Sequence, residues 1–125
     1  MKKNENRPGV TMKINEVAKS LEAKIVCGEH RQEEVIEKGF SSDLMSDVLR
    51  IDTEHLLLIT GMANLQTIRT AEMADISYIL FVRNKQISDE MLELAKENDL
   101  VLLRCPYSLF RASGLLFEAG LKPVY

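Results

Sequence analysis

Tryptophan is missing from this 125-residue chain, and proline, glycine and cysteine number only three, six and two. The two cysteines, Cys27 and Cys105, lie too far apart in sequence to suggest a motif, and no C-x-x-C occurs. They read as free thiols in or near a core, in a reducing cytoplasm. His30 and His55 are isolated, so no zinc-ligand spacing exists and no metal site or cofactor is expected. The glycines form neither G-x-x-x-x-G-K-[ST] nor G-x-G-x-x-G, which removes the common phosphate-loop signatures. No run approaches the eighteen or more apolar residues of a membrane span. Positive charge is not in excess either. Sixteen Lys and Arg against nineteen Asp and Glu give a net charge of -3. That disfavours a nucleic-acid binder, which carries a basic domain or stripe, and a polybasic membrane-surface protein.

What remains is an ordinary globular balance, 46% hydrophobic and 28% charged, over a length that suits one domain. Residues 1–11 are polar, contain Pro8-Gly9 and lack the apolar core of a secretory signal. They read as a flexible lead-in, with the folded domain over 12–125.

Apolar spacing predicts the elements. Ile14, Val17, Ala18 and Leu21 follow i, i+3, i+4, i+7 and predict a helix over 14–22. Residues 23–27 read as a strand stopped by Gly28, and 35–40 as a second strand after a polar loop. Ser42 is expected to cap a short helix over 42–50, with Asp43 in its first turn. Three apolar runs then recur every twenty-odd residues, 55–60, 76–82 and 100–103. Helices are expected between and after them: 64–74, one capped by Ser88, and one capped by Ser108 and stopped by Gly120. In that last helix Leu109, Ala112, Ser113 and Leu116 are expected to share one face. Unbroken apolar strands suit a sheet covered on both faces, and the intervening helices make it parallel. The expected fold is a single three-layer α/β domain. It has a mostly parallel sheet of about five strands flanked by helices, the first two strands being added at one edge.

Ligands of open parallel sheets bind beyond the carboxyl ends of the strands. The residues expected there, and taken as candidate ligand contacts, are Ser41, Ser42, Asp43, Thr60, Gly61, Asn64, Arg83, Arg104 and Ser108. Hydroxyls, arginines and helix N-termini suit a phosphate-bearing ligand. Each also has a plainer reading. Ser42 and Ser108 serve as helix caps, and Asp43 with Asp47 form a solvated face rather than a cation site. Arg69 is a surface residue. Cys105, between a strand and a helix start, is either a low-pKa thiol or a structural one. His55 has no nucleophile or acid near it in sequence. No catalytic constellation is present.

Two segments carry a family resemblance. Gly39-Phe40-Ser41-Ser42-Asp43-Leu44-Met45-Ser46-Asp47-Val48-Leu49 resembles the central segment of DRTGG domains. So does Leu57-Leu58-Ile59-Thr60-Gly61-Met62-Ala63-Asn64, continuing through Thr67 to Met73. The downstream pattern, with Val101-Leu102-Leu103 and then Tyr107-Ser108 opening a helix, is similar as well. The sequence departs at the family's namesake. Glu33 stands for the aspartate, Gly39 keeps the last glycine, and Glu34 replaces the arginine with the opposite charge. The resemblance implies a fold similar to the N-terminal domain of HPr serine kinase/phosphorylase, without that enzyme's kinase site. It also implies relatives fused to CBS domains or phosphotransacetylase, and stand-alone bacterial or archaeal proteins, some encoded near hydrogenase components.

The expected function is therefore a non-catalytic regulatory or dimerisation module. Its expected partners are a second copy and a small ligand such as a nucleotide or phosphorylated metabolite. The alternatives are a protein-interaction adaptor for a redox or signalling complex with no small ligand, and, more remotely, a small enzyme using Asp43, Asp47 or Cys105.

Overall fold

The computed structural model describes residues 11–125. The expected lead-in lies outside the described residues except for Thr11. The chain order is β1 (Met12–Lys13), α1 (Ile14–Ser20), β2 (Lys24–Cys27), a 3-10 turn (Glu29–Arg31), β3 (Val35–Ile36), β4 (Lys38–Ser41) and α2 (Met45–Val48). It continues with β5 (Leu56–Thr60), α3 (Leu65–Met73), β6 (Tyr78–Phe81), α4 (Asp89–Glu97), β7 (Val101–Arg104), α5 (Leu109–Glu118) and β8 (Lys122–Pro123).

Six strands form one sheet in the order β2-β7-β6-β5-β4-β8. The five from β7 to β8 are mutually parallel, and β2 is antiparallel to β7. The three-layer, mostly parallel α/β fold is thus as expected, with six strands instead of five. β1 and β3 pair separately as a short antiparallel ribbon. One expectation fails. The first two predicted strands do not sit together at one edge. β2 flanks β7, while the 35–40 run breaks into β3 and β4, and β4 lies inside the opposite half of the sheet, between β5 and β8. Gly28 explains part of this. Its left-handed backbone (φ +84°) ends β2 and turns the chain away, and a Cβ there would meet the backbone of Leu100 and Val101 at 3.0 Å.

Alternation along the central strands divides the core. Leu57 and Ile59 of β5, Leu80 of β6 and Leu103 of β7 pack with Ile14, Val17 and Leu21 of α1 and Ala112 and Leu116 of α5. Leu56, Leu58, Ile79, Phe81 and Leu102 face the other way. They meet Met45 and Val48 of α2, Ile68 and Ala71 of α3, and Met91 and Ala95 of α4. Strands buried on both faces must be apolar at every position, as the three unbroken runs are.

The two-sided covering also locates a switch. The connections leaving β4, β5 and β6 enter helices on one face, and the connection leaving β7 enters α5 on the other. Neighbouring loops that diverge in this way open a crevice at the carboxyl ends of their strands. Here the crevice between β6 and β7 is stitched shut. Arg83 N–H donates to the Tyr107 carbonyl and Asn84 N–H to the Cys105 carbonyl, both at 2.8 Å.

Candidate functional site

The parallel register brings the loops after β4, β5, β6 and β7 to one end of the sheet, so all nine candidate residues share that end. Their hydrogen bonds then separate them. Asn64 caps α3, its side chain accepting from Thr67 N–H at 2.9 Å, and Ser108 caps α5 by accepting from Arg111 N–H at 3.1 Å. Ser41 and Ser113 share a hydroxyl bond of 2.6 Å. Ser42 does not cap a helix over 42–50. Its hydroxyl accepts from Leu44 N–H at 3.0 Å in a tight turn, and α2 begins three residues later than expected.

Asp43 is not in a first helical turn either. It reaches the end of the next strand, where one carboxylate oxygen accepts from Thr60 Oγ1 at 2.9 Å and from Gly61 N–H at 2.8 Å. Those bonds, the Gly61 amide first and the nearby charges of Arg83 and Lys85 last, hold its carboxyl below its ordinary range against the opposing effect of burial. Thr60 is fully buried and passes the network on by accepting from Met62 N–H at 3.1 Å. Ala63 N–H is taken by the Gly61 carbonyl and Val82 N–H by the Thr60 carbonyl. The backbone donors of these loops are therefore largely occupied, and they do not form an open amide cradle for a phosphate.

Arg83 is different. It and Asn84 both have left-handed backbone, with φ of 61° and 53°, which costs a non-glycine residue strain and is fixed here by the two bonds to the 105–107 loop. The turn lays the guanidinium over Gly61. A Cβ on Gly61 would come within 2.5 Å of the nearer terminal nitrogen of Arg83, so glycine is what lets the group lie there. Among the described residues this guanidinium makes no hydrogen bond or ion pair. Arg104 ends β7, and its Nε is buried with no partner among the described residues.

The remaining features of the sequence fall away from this end. His55 is exposed at the amino end of β5. Burial raises the Cys105 thiol, with only partial relief from a Tyr107 backbone bond, which is the opposite of an activated nucleophile. Cys27 and Cys105 are both buried and free, in separate halves of the core. Glu34, at the charge-reversed namesake position, is met by an arginine from three residues upstream. Arg31 Nε donates to it at 2.9 Å, Tyr78 Oη donates at 2.6 Å, and the Arg31 guanidinium lies 5.3 Å from the Tyr78 ring centroid. This network sits at the amino end of β6, the far end from Arg83.

The most prominent surface feature was not singled out from the sequence. Phe110 is 89% exposed and Phe117 67% exposed. With Ser113 and Gly114 they form an i, i+3, i+4, i+7 stripe on the outer side of α5. The stripe borders an apolar groove of about 320 Å³ also lined by Gly39, Leu121 and Pro123. The same spacing rule that found the inner stripe of α5 finds this one. Ser113 belongs to this groove and not to the buried face.

The fold is thus a mostly parallel α/β domain with a polar cluster at its strand ends and an exposed apolar face on α5. The chain belongs to the DRTGG domain family, whose model matches residues 16–119. A similar solved structure is that of the CBS and DRTGG domains of the regulatory region of Clostridium perfringens pyrophosphatase, complexed with its activator diadenosine tetraphosphate. The TM-score is 0.70 at 20% identity, over 83% of this chain and 45% of that one. The chain thus spans less than half the length of that neighbour, and the likeness is one of fold. No curated protein matches by sequence. No helix among the described residues is long and apolar enough to cross a membrane.

Proposed function

We propose that this chain is a non-catalytic regulatory module that pairs with a second copy of itself through the outer face of α5. The observation that carries this reading is the Phe110–Gly114–Phe117 stripe beside its groove. Two aromatic rings left bare on one helix face are what a monomer avoids and an interface uses. The stripe also has the form a twofold contact needs, since it offers projecting rings and a glycine gap on one surface. Sedimentation velocity tests it. The parent chain should form dimers in the micromolar range, and F110D/F117D should be a folded monomer. A parent that stays monomeric at high micromolar concentration refutes pairing. In that case the same face serves a different protein, as in the adaptor reading.

Arg83 supports a second role, capture of a small phosphate-bearing ligand at the strand ends. The backbone of Arg83 is fixed by its bond to the Tyr107 carbonyl, and its guanidinium is solvent-exposed and, among the described residues, unpaired, at the carboxyl ends of the strands, the side of the sheet where parallel α/β domains bind ligands. The nucleotide bound to the pyrophosphatase regulatory region makes nucleotides the first compounds to try. Thermal-shift measurements with diadenosine tetraphosphate, ATP, AMP and inorganic phosphate test this. A rise in Tm that Arg83→Gln abolishes supports the reading, and no rise with any of them removes it. Two buried free thiols suit the cytoplasm as the place of work.

A further inference from the structure

The charges of α5 stand at the wrong ends for its dipole. A helix favours acids in its first turn and bases in its last. α1 obeys this with Glu16 and Lys19, and α4 with Asp89, Glu90 and Lys96. α5 has neither an acid in its first turn nor a base in its last. Its first turn carries Arg111 instead, and its last residue is Glu118. Both are exposed, and among the described residues neither forms an ion pair within 4.0 Å. The Arg111 guanidinium is stacked 4.0 Å from the Tyr107 ring centroid, and the Tyr107 hydroxyl donates to Glu22. We infer that a second copy of α5 lies antiparallel across the Phe110–Gly114–Phe117 stripe, so that Arg111 of each copy meets Glu118 of the other. This orientation rests on the pairing proposed for the same face.

Helical geometry supplies the register. Arg111 and Glu118 are about two turns apart and fall on one flank of the stripe. Ser113, which bonds to Ser41, lies on the other flank, beside the groove. A twofold axis running across the two helices sets each flank against the same flank of the second copy and reverses its ends. Arg111 then stands level with Glu118 of the second copy, and Phe110 with Phe117, all about a centre at Gly114. Two ion pairs form at the polar rim of an apolar contact. Each charge also comes beside the helix end that its own α5 denies it. A twofold axis along the helices would instead lay Arg111 on the second copy's groove, whose lining has no acid. Charge complementarity therefore selects the antiparallel register.

Sedimentation velocity of the intact chain and its charge-reversed variants decides it. R111E and E118R each turn two attractive rim pairs into two repulsive ones and should weaken pairing about tenfold. R111E/E118R exchanges the two charges at unchanged net charge and rebuilds both pairs. It should associate within about threefold of the parent. An equimolar mixture of R111E and E118R should form a mixed dimer more tightly than either variant pairs alone. Each substitution puts its new charge at the end of α5 that the dipole favours, so all three chains should fold, which circular dichroism checks. Any two of them decide the matter if the third does not fold. Single variants that pair as tightly as the parent, an R111E/E118R chain that pairs no better than they do, or a mixture that forms no mixed dimer overturns the antiparallel contact. The pairing reading fails separately, if the parent stays monomeric at high micromolar concentration or its dimer survives in F110D/F117D. A dimer lost in F110D/F117D but indifferent to both charge reversals removes only the orientation.

Discussion

Replacing Gly114 by alanine should make the single chain more stable and the pair weaker, two effects of opposite sign from one methyl group. Gly114 lies inside α5, and a Cβ added there meets nothing within 4 Å. In the monomer the change therefore acts through helix propensity and the entropy of the unfolded chain. It stabilises by about 0.8–1 kcal/mol. For a domain of this size that is a rise in Tm of about 3–6 °C. In a twofold pair the same methyl enters the gap between Phe110 and Phe117 on both copies. Overfilling a close contact costs about 1–3 kcal/mol, or up to about a hundredfold in Kd. Urea denaturation at low concentration reads the first effect, and a sedimentation dilution series reads the second. A G114A chain that is less stable as a monomer refutes the account of α5. One that associates as tightly as the parent refutes the assignment of the interface.

Three further outcomes are expected. Gly61→Ala should cost under about 1 kcal/mol, because the group it displaces is the flexible end of Arg83, but it should abolish Arg83-dependent phosphate-ester binding. A melt beside an NMR titration shows both. Stability should fall at both pH extremes. Glu34, held below its ordinary value chiefly by Arg31 and then Tyr78, and Asp43, held down chiefly by the Gly61 amide, contribute stability that is complete above about pH 5 and lost as pH falls through their lowered values. Tyr78, pushed up from 10.0 to about 12 chiefly by burial, contributes stability that is lost between those values as pH rises. Tm–pH profiles of E34Q and Y78F should be flatter on the acid and alkaline limbs respectively. Finally, Glu34→Arg sets two guanidinium groups together against Tyr78 and should destabilise by about 1 kcal/mol. The exchange R31E/E34R should recover most of that loss in the same urea assay.

The central strands were legible because burial on both faces leaves one solution, an unbroken apolar run. Leu56–Thr60, Tyr78–Phe81 and Val101–Arg104 fall within or next to such runs. The caps at Ser88 and Ser108 were legible because they are local. Met12–Lys13, Val35–Ile36 and Lys122–Pro123 are defined only by backbone pairing with distant residues, and two residues carry no periodicity. Ser42 and Asp43 misled for a related reason. A serine followed by an aspartate has the local form of a helix start. Here the aspartate answers to Thr60 and Gly61, seventeen and eighteen residues on, and that tertiary bond overrides the local one. The strand-end candidates were placed at one end by topology alone. Which of them stay free depended on cap and loop hydrogen bonds that only the folded chain reveals. The bare stripe on α5 was readable in its spacing, but the inner stripe of the same helix already accounted for the helix.

If the exposed face of α5 joins two copies of this chain, the unmodified chain must associate in solution. Sedimentation velocity of the unmodified chain over a dilution series from high to low micromolar tests it most directly. A concentration-dependent monomer–dimer equilibrium is expected, which F110D/F117D abolishes while the monomer stays folded. A single species at the monomer mass throughout would contradict it, as would a dimer that persists unchanged in F110D/F117D.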